Sequence, residues 1–186
     1  MSHRFDPRNV KNLENEQRRR KLPPDKIINE IPLTGDETVA DMGAGSGYFT
    51  IPLARRVKKV YAVDVEEKML QYLDERIREE GVDHIEKILS PLEKTPFPDE
   101  SMDLLFCSHV LHEVEDLNEG LAELKRITKK GGLIAILDWE KKQTNGGPPL
   151  EHRISSEEME ILLTGQQMHI IKRKDLGDYY LILAQR

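Results

Sequence analysis

The sequence predicts an α/β domain in three layers, an αβα sandwich whose mostly parallel sheet ends in an antiparallel hairpin. Three observations carry this. Residues 39 to 50 run from an apolar strand pattern, Val39-Ala-Asp-Met, through a glycine loop, Gly43-Ala-Gly-Ser-Gly47, into a helix. Four more strand-like runs follow, alternating with helical patterns, and right-handed connections between such units give parallel strands. The last two strand-like runs are joined by a short turn around Gly177-Asp178, which only an antiparallel pair permits.

The chain has 186 residues, enough for one domain with a sizeable core. Residues 1–33 read as a polar leader anchored by Phe5, Val10, Leu13, Leu22, Ile27, Ile28 and Ile31, with Pro23-Pro24-Asp25 suited to a helix start. This leader is expected either to cap the ligand or to pack on the sheet edge, and residues 34–186 form the main domain. After the glycine loop, Ile51, Leu53, Ala54 and Val57 give a helix an apolar face, and Pro52 has to lie in its first turn. Lys59 to Val63 is the second strand, ending at Asp64. From Glu66 to Glu80, Met69, Leu70, Leu73 and Ile77 recur at helical spacing, with Gly81 as the stop.

His84 to Leu89 is the third strand and Leu104 to Cys107 the fourth. The stripe Val114, Leu117, Leu121, Leu124 and Ile127 predicts a helix ended by Gly131-Gly132. Leu133 to Leu137 is wholly apolar, as a buried parallel strand should be, and closes with Asp138-Trp139-Glu140. Lys141 to Arg153, with Asn145-Gly-Gly-Pro-Pro149, reads as a long loop covering the ligand side. Ser155-Ser-Glu-Glu158 is a capping box for a helix through Met159, Leu162 and Leu163, stopped by Gly165. Met168 to Ile171 and Tyr179 to Ala184 are the hairpin.

A net charge of −6 argues against DNA binding and leaves RNA open. No apolar run approaches the ~18 residues that span a bilayer, and no secretory segment opens the chain, so a cytoplasmic protein is expected. The single cysteine, Cys107, allows no intramolecular disulfide and no cysteine metal cluster.

The glycine loop can be tested against familiar chemistry. A Walker A loop needs Lys and Ser or Thr after its last glycine, and Tyr48 and Phe49 stand there. A dinucleotide fingerprint counted from Gly43 needs a small residue where Tyr48 stands, which weakens that reading without removing it. Asp41 would repel a pyrophosphate but attract a cationic ligand. Asp64 lies 21 residues after Gly43, the separation at which an acid closing the second strand accepts from ribose hydroxyls.

The acid followed by Gly-x-Gly-x-Gly resembles motif I of the class I S-adenosylmethionine (SAM)-dependent methyltransferases. Pro96-Phe-Pro-Asp-Glu-Ser-Met-Asp103 and Leu104-Leu-Phe-Cys107 resemble that family's segment into its fourth strand. The closest likeness is to the quinone-biosynthesis C-methyltransferase-like group, methyltransferase type 11, whose acceptors vary. The resemblance implies a Rossmann-like, seven-stranded fold that binds SAM and releases S-adenosylhomocysteine. It places the cofactor on Asp41, Gly43, Ala44, Gly45 and Gly47, on Asp64 and Val65, on Ser90 and Leu92, and on Ser108. Family members often carry an acid and a small residue where Ser90 and Pro91 stand, so adenine contact falls to the Ser90 hydroxyl or to backbone at Leu92 and Glu93.

Family enzymes put acceptor-facing residues after the fourth strand, which makes His109, His112 and Glu113 the catalytic candidates, with Trp139 nearby at the end of the fifth. A small-molecule acceptor, no metal, and a monomer or homodimer are expected. Arsenite-methylating relatives need several cysteines and are disfavoured. Two other readings remain: a nicotinamide-dependent oxidoreductase, and a SAM-binding regulatory protein without catalysis.

Overall fold

The structure, a computed structural model, describes residues 16–186; the anchors Phe5, Val10 and Leu13 lie outside the described residues. Seven strands form one sheet: β1 (Thr38–Met42), β2 (Lys59–Asp64), β3 (Ile85–Leu89), β4 (Met102–Ser108), β5 (Thr128–Trp139), β6 (His169–Asp175) and β7 (Tyr179–Gln185). Their order is β3-β2-β1-β4-β5-β7-β6. β1 to β5 are parallel, and β7 runs antiparallel between β5 and β6. The chain winds outward from β1 to β3, then returns to β1's other side as β4. That reversal opens a crevice at the carboxyl ends of β1 and β4, where open α/β sheets take their ligands.

Strand periodicity builds two cores from one sheet. In β4, Leu104 and Phe106 face one layer while Leu105 and Cys107 face the other, and in β5 Ala135 and Leu137 oppose Ile134 and Ile136. The first layer is closed by α2 (Pro24–Ile28), α3 (Thr50–Ala54) and α4 (Glu67–Glu80), through Ile27, Ile28, Ile51, Leu53, Leu70 and Leu73. The second is closed by α5 (Leu117–Ile127) and α6 (Ser156–Gly165), through Leu121, Leu124, Ile127, Met159 and Leu163.

Local signals set most boundaries. Pro52 falls in the first turn of α3, where its missing N–H costs nothing. Gly81 caps α4 in the left-handed conformation at φ 64°. Ser155 and Glu158 form the reciprocal capping box that opens α6.

Three expectations are corrected. Gly131-Gly132 does not end α5, which stops at Ile127. Thr128 turns extended, its Oγ1 donating back to the Leu124 carbonyl at 2.7 Å, and the chain passes directly into β5. The glycines serve the irregular start of that strand: a Cβ on Gly132 would sit 2.9 Å from the Lys129 carbonyl, and the β4–β5 register shifts alongside, between Met102 and Leu104. Val114 is extended backbone ahead of α5, not part of it. Gly165 is the last residue of α6 and leaves the left-handed turn to Gln167, at φ 60°, where Met168 N–H donates to the Leu163 carbonyl at 3.0 Å.

Within the described part of the leader, α1 (Glu16–Lys21) precedes α2, which shares the first core layer with α3. Tyr48 donates its hydroxyl to the Leu22 carbonyl at 2.9 Å, Lys21 pairs with Asp178 at 2.7 Å, and Glu30 pairs with Lys172 and Lys174. The two lysines hold the Glu30 carboxyl down at about 2.

Ser155→Ala removes one half of the capping box, and a loss of about 1 kcal/mol in urea-unfolding free energy is expected.

Candidate active site

The glycine loop is shaped by the protein's own packing before any ligand enters. Gly43 and Ala44 both donate to the Val63 carbonyl, at 2.8 and 2.9 Å, so the end of β2 turns the chain as it leaves β1. A Cβ on Gly43 would lie 2.6 Å from Val110 Cγ2, and one on Gly47 would lie 2.4 Å from Leu73 Cδ1. Both also take positive φ, 74° and 90°. Gly45 differs, since a Cβ there meets only Met69 Cε at 3.5 Å, an ordinary contact. Gly43 and Gly47 are thus required by the packing of Val110 and Leu73.

Asp64 fastens this loop to the sheet. Its Oδ2 accepts from Gly45 N–H at 2.8 Å and its Oδ1 from Glu66 N–H at 2.9 Å. Burial pushes the Asp64 carboxyl up, against the backbone N–H groups of Glu66, Gly45 and Val65 that favour its ionised form. A carboxylate has about four acceptor positions, so these backbone donors leave capacity for a ligand hydroxyl. Directly across the ladder from Asp64 is Leu89, 58% exposed, and Val65 beside it is 41% exposed, so an apolar rim flanks the acid. The resemblance named Val65; Leu89, an apolar residue closing a strand, carries no local signal that it is exposed.

Asp41 lies beneath the loop, 2% exposed, and accepts from Thr50 Oγ1 at 2.6 Å. Burial pushes its carboxyl up to about 7, with the Thr50 hydrogen bond opposing and the Asp64 charge adding to the rise. Tyr48, standing where a dinucleotide loop keeps a small residue, is buried with its ring edge-on to Phe49 and its hydroxyl on Leu22. Ser90 is buried and donates its hydroxyl to the Lys94 carbonyl at 2.9 Å, inside its own loop, so its proton is engaged and only its lone pairs face outward chemistry. Leu92 is buried against Gly120 of α5.

The acceptor candidates divide about the end of β5, whose alternation sends Asp138 to the α5–α6 side and Trp139 to the other. Ser108 Oγ meets His109 Nδ1 at 2.8 Å. His109 takes the left-handed conformation, φ 56°, an unusual strain for a residue with a Cβ, and is tied by its N–H to the Leu137 carbonyl at 2.8 Å. Its ring lies edge-on to Trp139 and Tyr179, at 6.0 and 5.4 Å between centroids. Burial, then the charges of Arg18 and His112, push its imidazole well below the ordinary value, so it is neutral at physiological pH.

His112 sits in the short 3₁₀ turn Leu111–Glu113 on the other side. Its Nδ1 lies 2.8 Å from Asp138 Oδ1 and its Nε2 3.7 Å from Glu113 Oε1. Burial works to lower its pKa, but the charge and hydrogen bond of Asp138 together with Glu113 outweigh it, and the net shift is upward. Sequence spacing could not pair His112 with Asp138, which are 26 positions apart and meet only through the β4–β5 crossover.

The loop after β5 is pinned by Arg153, a residue that no local pattern singles out. Its buried guanidinium spends all five N–H groups on that loop: Nε on the Pro148 carbonyl at 2.9 Å, Nη1 on Glu140 at 3.3 Å and Lys142 at 2.8 Å, Nη2 on Thr144 Oγ1 and the Gly146 carbonyl, each at 2.8 Å. The same group lies over the Trp139 ring, 4.9 Å from its centroid, while Gly147 approaches so closely that a Cβ would stand 2.8 Å from the indole. Trp139 is thus packed between Tyr179, Arg153 and the loop. Among the described residues no group of three His, Cys, Asp or Glu side chains could hold a metal ion, and no helix is long and apolar enough to cross a membrane.

The reversal of strand order between β1 and β4, with an acid-and-glycine loop at that point and a second acid closing β2, defines a class I SAM-dependent methyltransferase domain. The family profile described as "Methyltransferase domain" matches residues 40–136, and the chain belongs to that family. A crystal structure of a SAM-dependent methyltransferase from Aquifex aeolicus superposes with a TM-score of 0.90 at 32% identity, covering 97% of this chain and 98% of that one. The uncharacterized methyltransferase YcgJ of Bacillus subtilis is 27% identical over 112 residues, 60% of this chain and 44% of that protein. The ubiquinone/menaquinone biosynthesis C-methyltransferase UbiE of Escherichia coli is 33% identical over 109 residues, 56% of this chain and 43% of that protein. The chain therefore spans less than half the length of these two curated relatives.

Replacing Arg153 by Lys leaves three donors where five acceptors converge. An unfolding free energy lower by about 2 kcal/mol is expected, with earlier tryptic cleavage after Lys141 or Lys142 than in the wild type.

Proposed function

We propose that the chain transfers the methyl group of SAM to a small-molecule acceptor and releases S-adenosylhomocysteine. The observation that carries this reading is the glycine loop at the β1–β4 crevice, packed against Val110 and Leu73 and fastened by Asp64. When bound, the cofactor supplies an already activated methyl group on a sulfonium, so the protein's task is alignment and not bond activation. Asp64 would take the ribose hydroxyls, the rim of Val65 and Leu89 would lie along the adenine with Ser90 and Leu92 at its edge, and Gly43 to Gly47 with Ser108 would follow the methionine end. Asp41, beneath the loop, would balance the positive amino group.

The same features argue against a nicotinamide enzyme. The buried Asp41 puts an acid under the place where a pyrophosphate would need donors, and Tyr48 fills the small-residue position with a bonded, buried ring. Small-molecule chemistry is favoured by the kind of relative the chain has; UbiE is named for a quinone pathway. The leader is proposed as a cap, supported by Arg18 lying over the Tyr48 ring at 4.7 Å and Lys21 bridging to Asp178 at 2.7 Å. Incubation with methyl-labelled SAM and the small-molecule fraction of a cell extract tests the reading: label should move into that fraction, and a regulatory protein would bind SAM and move none.

Asp64→Ala should weaken SAM by about 1 to 3 kcal/mol in calorimetry, the loss expected when a ligand hydroxyl and a loop N–H lose a charged partner; unchanged affinity would remove Asp64 from the site.

A proton linkage follows from Asp41. Its carboxyl, held at about 7 in the free protein, is largely protonated at lower pH, and a cation above it favours the ionised form. Binding at about pH 6.5 should release protons, seen as a heat that varies with buffer ionisation enthalpy, and affinity should rise from about pH 5.5 to about pH 7. Asp41→Asn should abolish both effects.

A further inference from the structure

Two buried acids in this protein are built differently, and the contrast points to chemistry. Glu123, on α5, is saturated: Oε1 accepts from Thr95 N–H, Thr95 Oγ1 and Arg126 Nη2, and Oε2 from Arg126 Nε. It ties a loop to a helix and its charge is neutralised by a guanidinium. Asp138, on β5, is 2% exposed and uses one oxygen only. Oδ1 accepts from His112 Nδ1 and from Trp139 N–H, both at 2.8 Å, while Oδ2 has no hydrogen-bond partner among the described residues. A buried carboxylate left half-satisfied is costly, and such groups persist where their charge has a use. Asp138 accepts no hydrogen bond from a lysine or arginine among the described residues, and its hydrogen-bonded partner is the His112 imidazole.

We propose, building on the methyl-transfer reading above, that His112 and Asp138 form a proton-accepting pair in which Asp138 is the positioning residue, and that the methyl acceptor is a protic nucleophile, a hydroxyl, enol or acidic C–H group. Asp138 Oδ1 already acts as an acceptor for Trp139 N–H, so its 2.8 Å contact with His112 is made by a proton on Nδ1, which leaves the lone pair on Nε2. The pair lies at the carboxyl ends of β4 and β5, the end of the sheet at which open α/β folds take their ligands. In the step, the acceptor's proton passes to Nε2 while the electron pair of its broken bond to hydrogen forms the new bond to the methyl carbon. The carbon–sulfur bond breaks with its pair staying on sulfur, and the positive charge moves from sulfonium to imidazolium, which returns its proton to solvent. Acceptors with no proton to lose, such as thioethers or tertiary amines, would gain nothing from this arrangement.

The groups facing His112 are Asp138 from β5, Glu113 from its own turn, Arg153 from the loop before α6 and His109 from the end of β4. The two carboxylates prevail, so His112 titrates above the ordinary histidine value and becomes a competent base only as pH rises through that point.

The experiment has two readouts. Imidazole ¹⁵N NMR titrations of wild type and Asp138→Asn report tautomer and pKa without turnover, and label transfer from SAM into the small-molecule fraction of a cell extract is followed against pH. Far-UV circular dichroism and calorimetric SAM binding establish that each variant is folded. Expected are the Nδ1–H tautomer, a wild-type rate that rises through the NMR pKa of His112, and a downward move of both inflections together in Asp138→Asn. The rate should fall by about a hundredfold in His112→Asn and at least about tenfold in Asp138→Asn. Label moved by wild type but equally well by His112→Asn, a rate profile that stays in place while the NMR pKa moves, or an Nε2–H tautomer would overturn the proposal alone. Wild type that binds SAM and moves no label at any pH would overturn the methyl-transfer reading, and the proposal with it.

Discussion

The structure depends most on the carboxylate of Asp64 and the two backbone N–H groups it holds. By accepting from Gly45 and Glu66 it joins the glycine loop to the start of α4, and through Ser90 N–H on its own carbonyl it also touches the end of β3. Three chain segments are thereby set around the crevice before a ligand arrives. Preorganisation of this kind lowers the ordering cost of binding. The positions of Gly43 and Gly47 follow from the same arrangement, since Val110 and Leu73 fill the space beneath a loop that Asp64 holds against β2.

The region around the two histidines rests on a different constraint, the two-residue period of β5. Because Asp138 and Trp139 are neighbours they point to opposite layers, and each recruits one of the two histidines that follow β4. His109 joins a packed aromatic group and stays neutral, whereas His112 acquires a carboxylate partner and a raised pKa. Two histidines three residues apart thus have opposite electrostatics, set by what each one packs against. Arg153 completes this side by holding the long loop against the indole.

How much of this was legible in the sequence follows from the range of each interaction. The strands, the hairpin, the Ser155 capping box, the Gly81 cap and the place of Pro52 are written in periods and caps a few residues long. The glycine loop and Asp64 were legible because one βαβ unit brings them together. Gly131-Gly132 misled because a glycine pair reads as a helix stop, while Thr128 had already ended α5 by bonding back to Leu124. Gly165 misled for a related reason: the turn's left-handed residue was Gln167. The Asp138 partnership and the five-acceptor nest of Arg153 join distant or irregular backbone, and no local pattern encodes them. Trp139 was visible as a residue more often used for packing than for recognition, but its partners Tyr179, Arg153 and Gly147 were not.

The most direct test of the central claim, that the loop held by Asp64 is a SAM site, is a calorimetric comparison of S-adenosylhomocysteine with NAD on the wild-type protein. Saturable binding of S-adenosylhomocysteine with no heat from NAD is the predicted result. Tight NAD binding with no response to S-adenosylhomocysteine or SAM would contradict it.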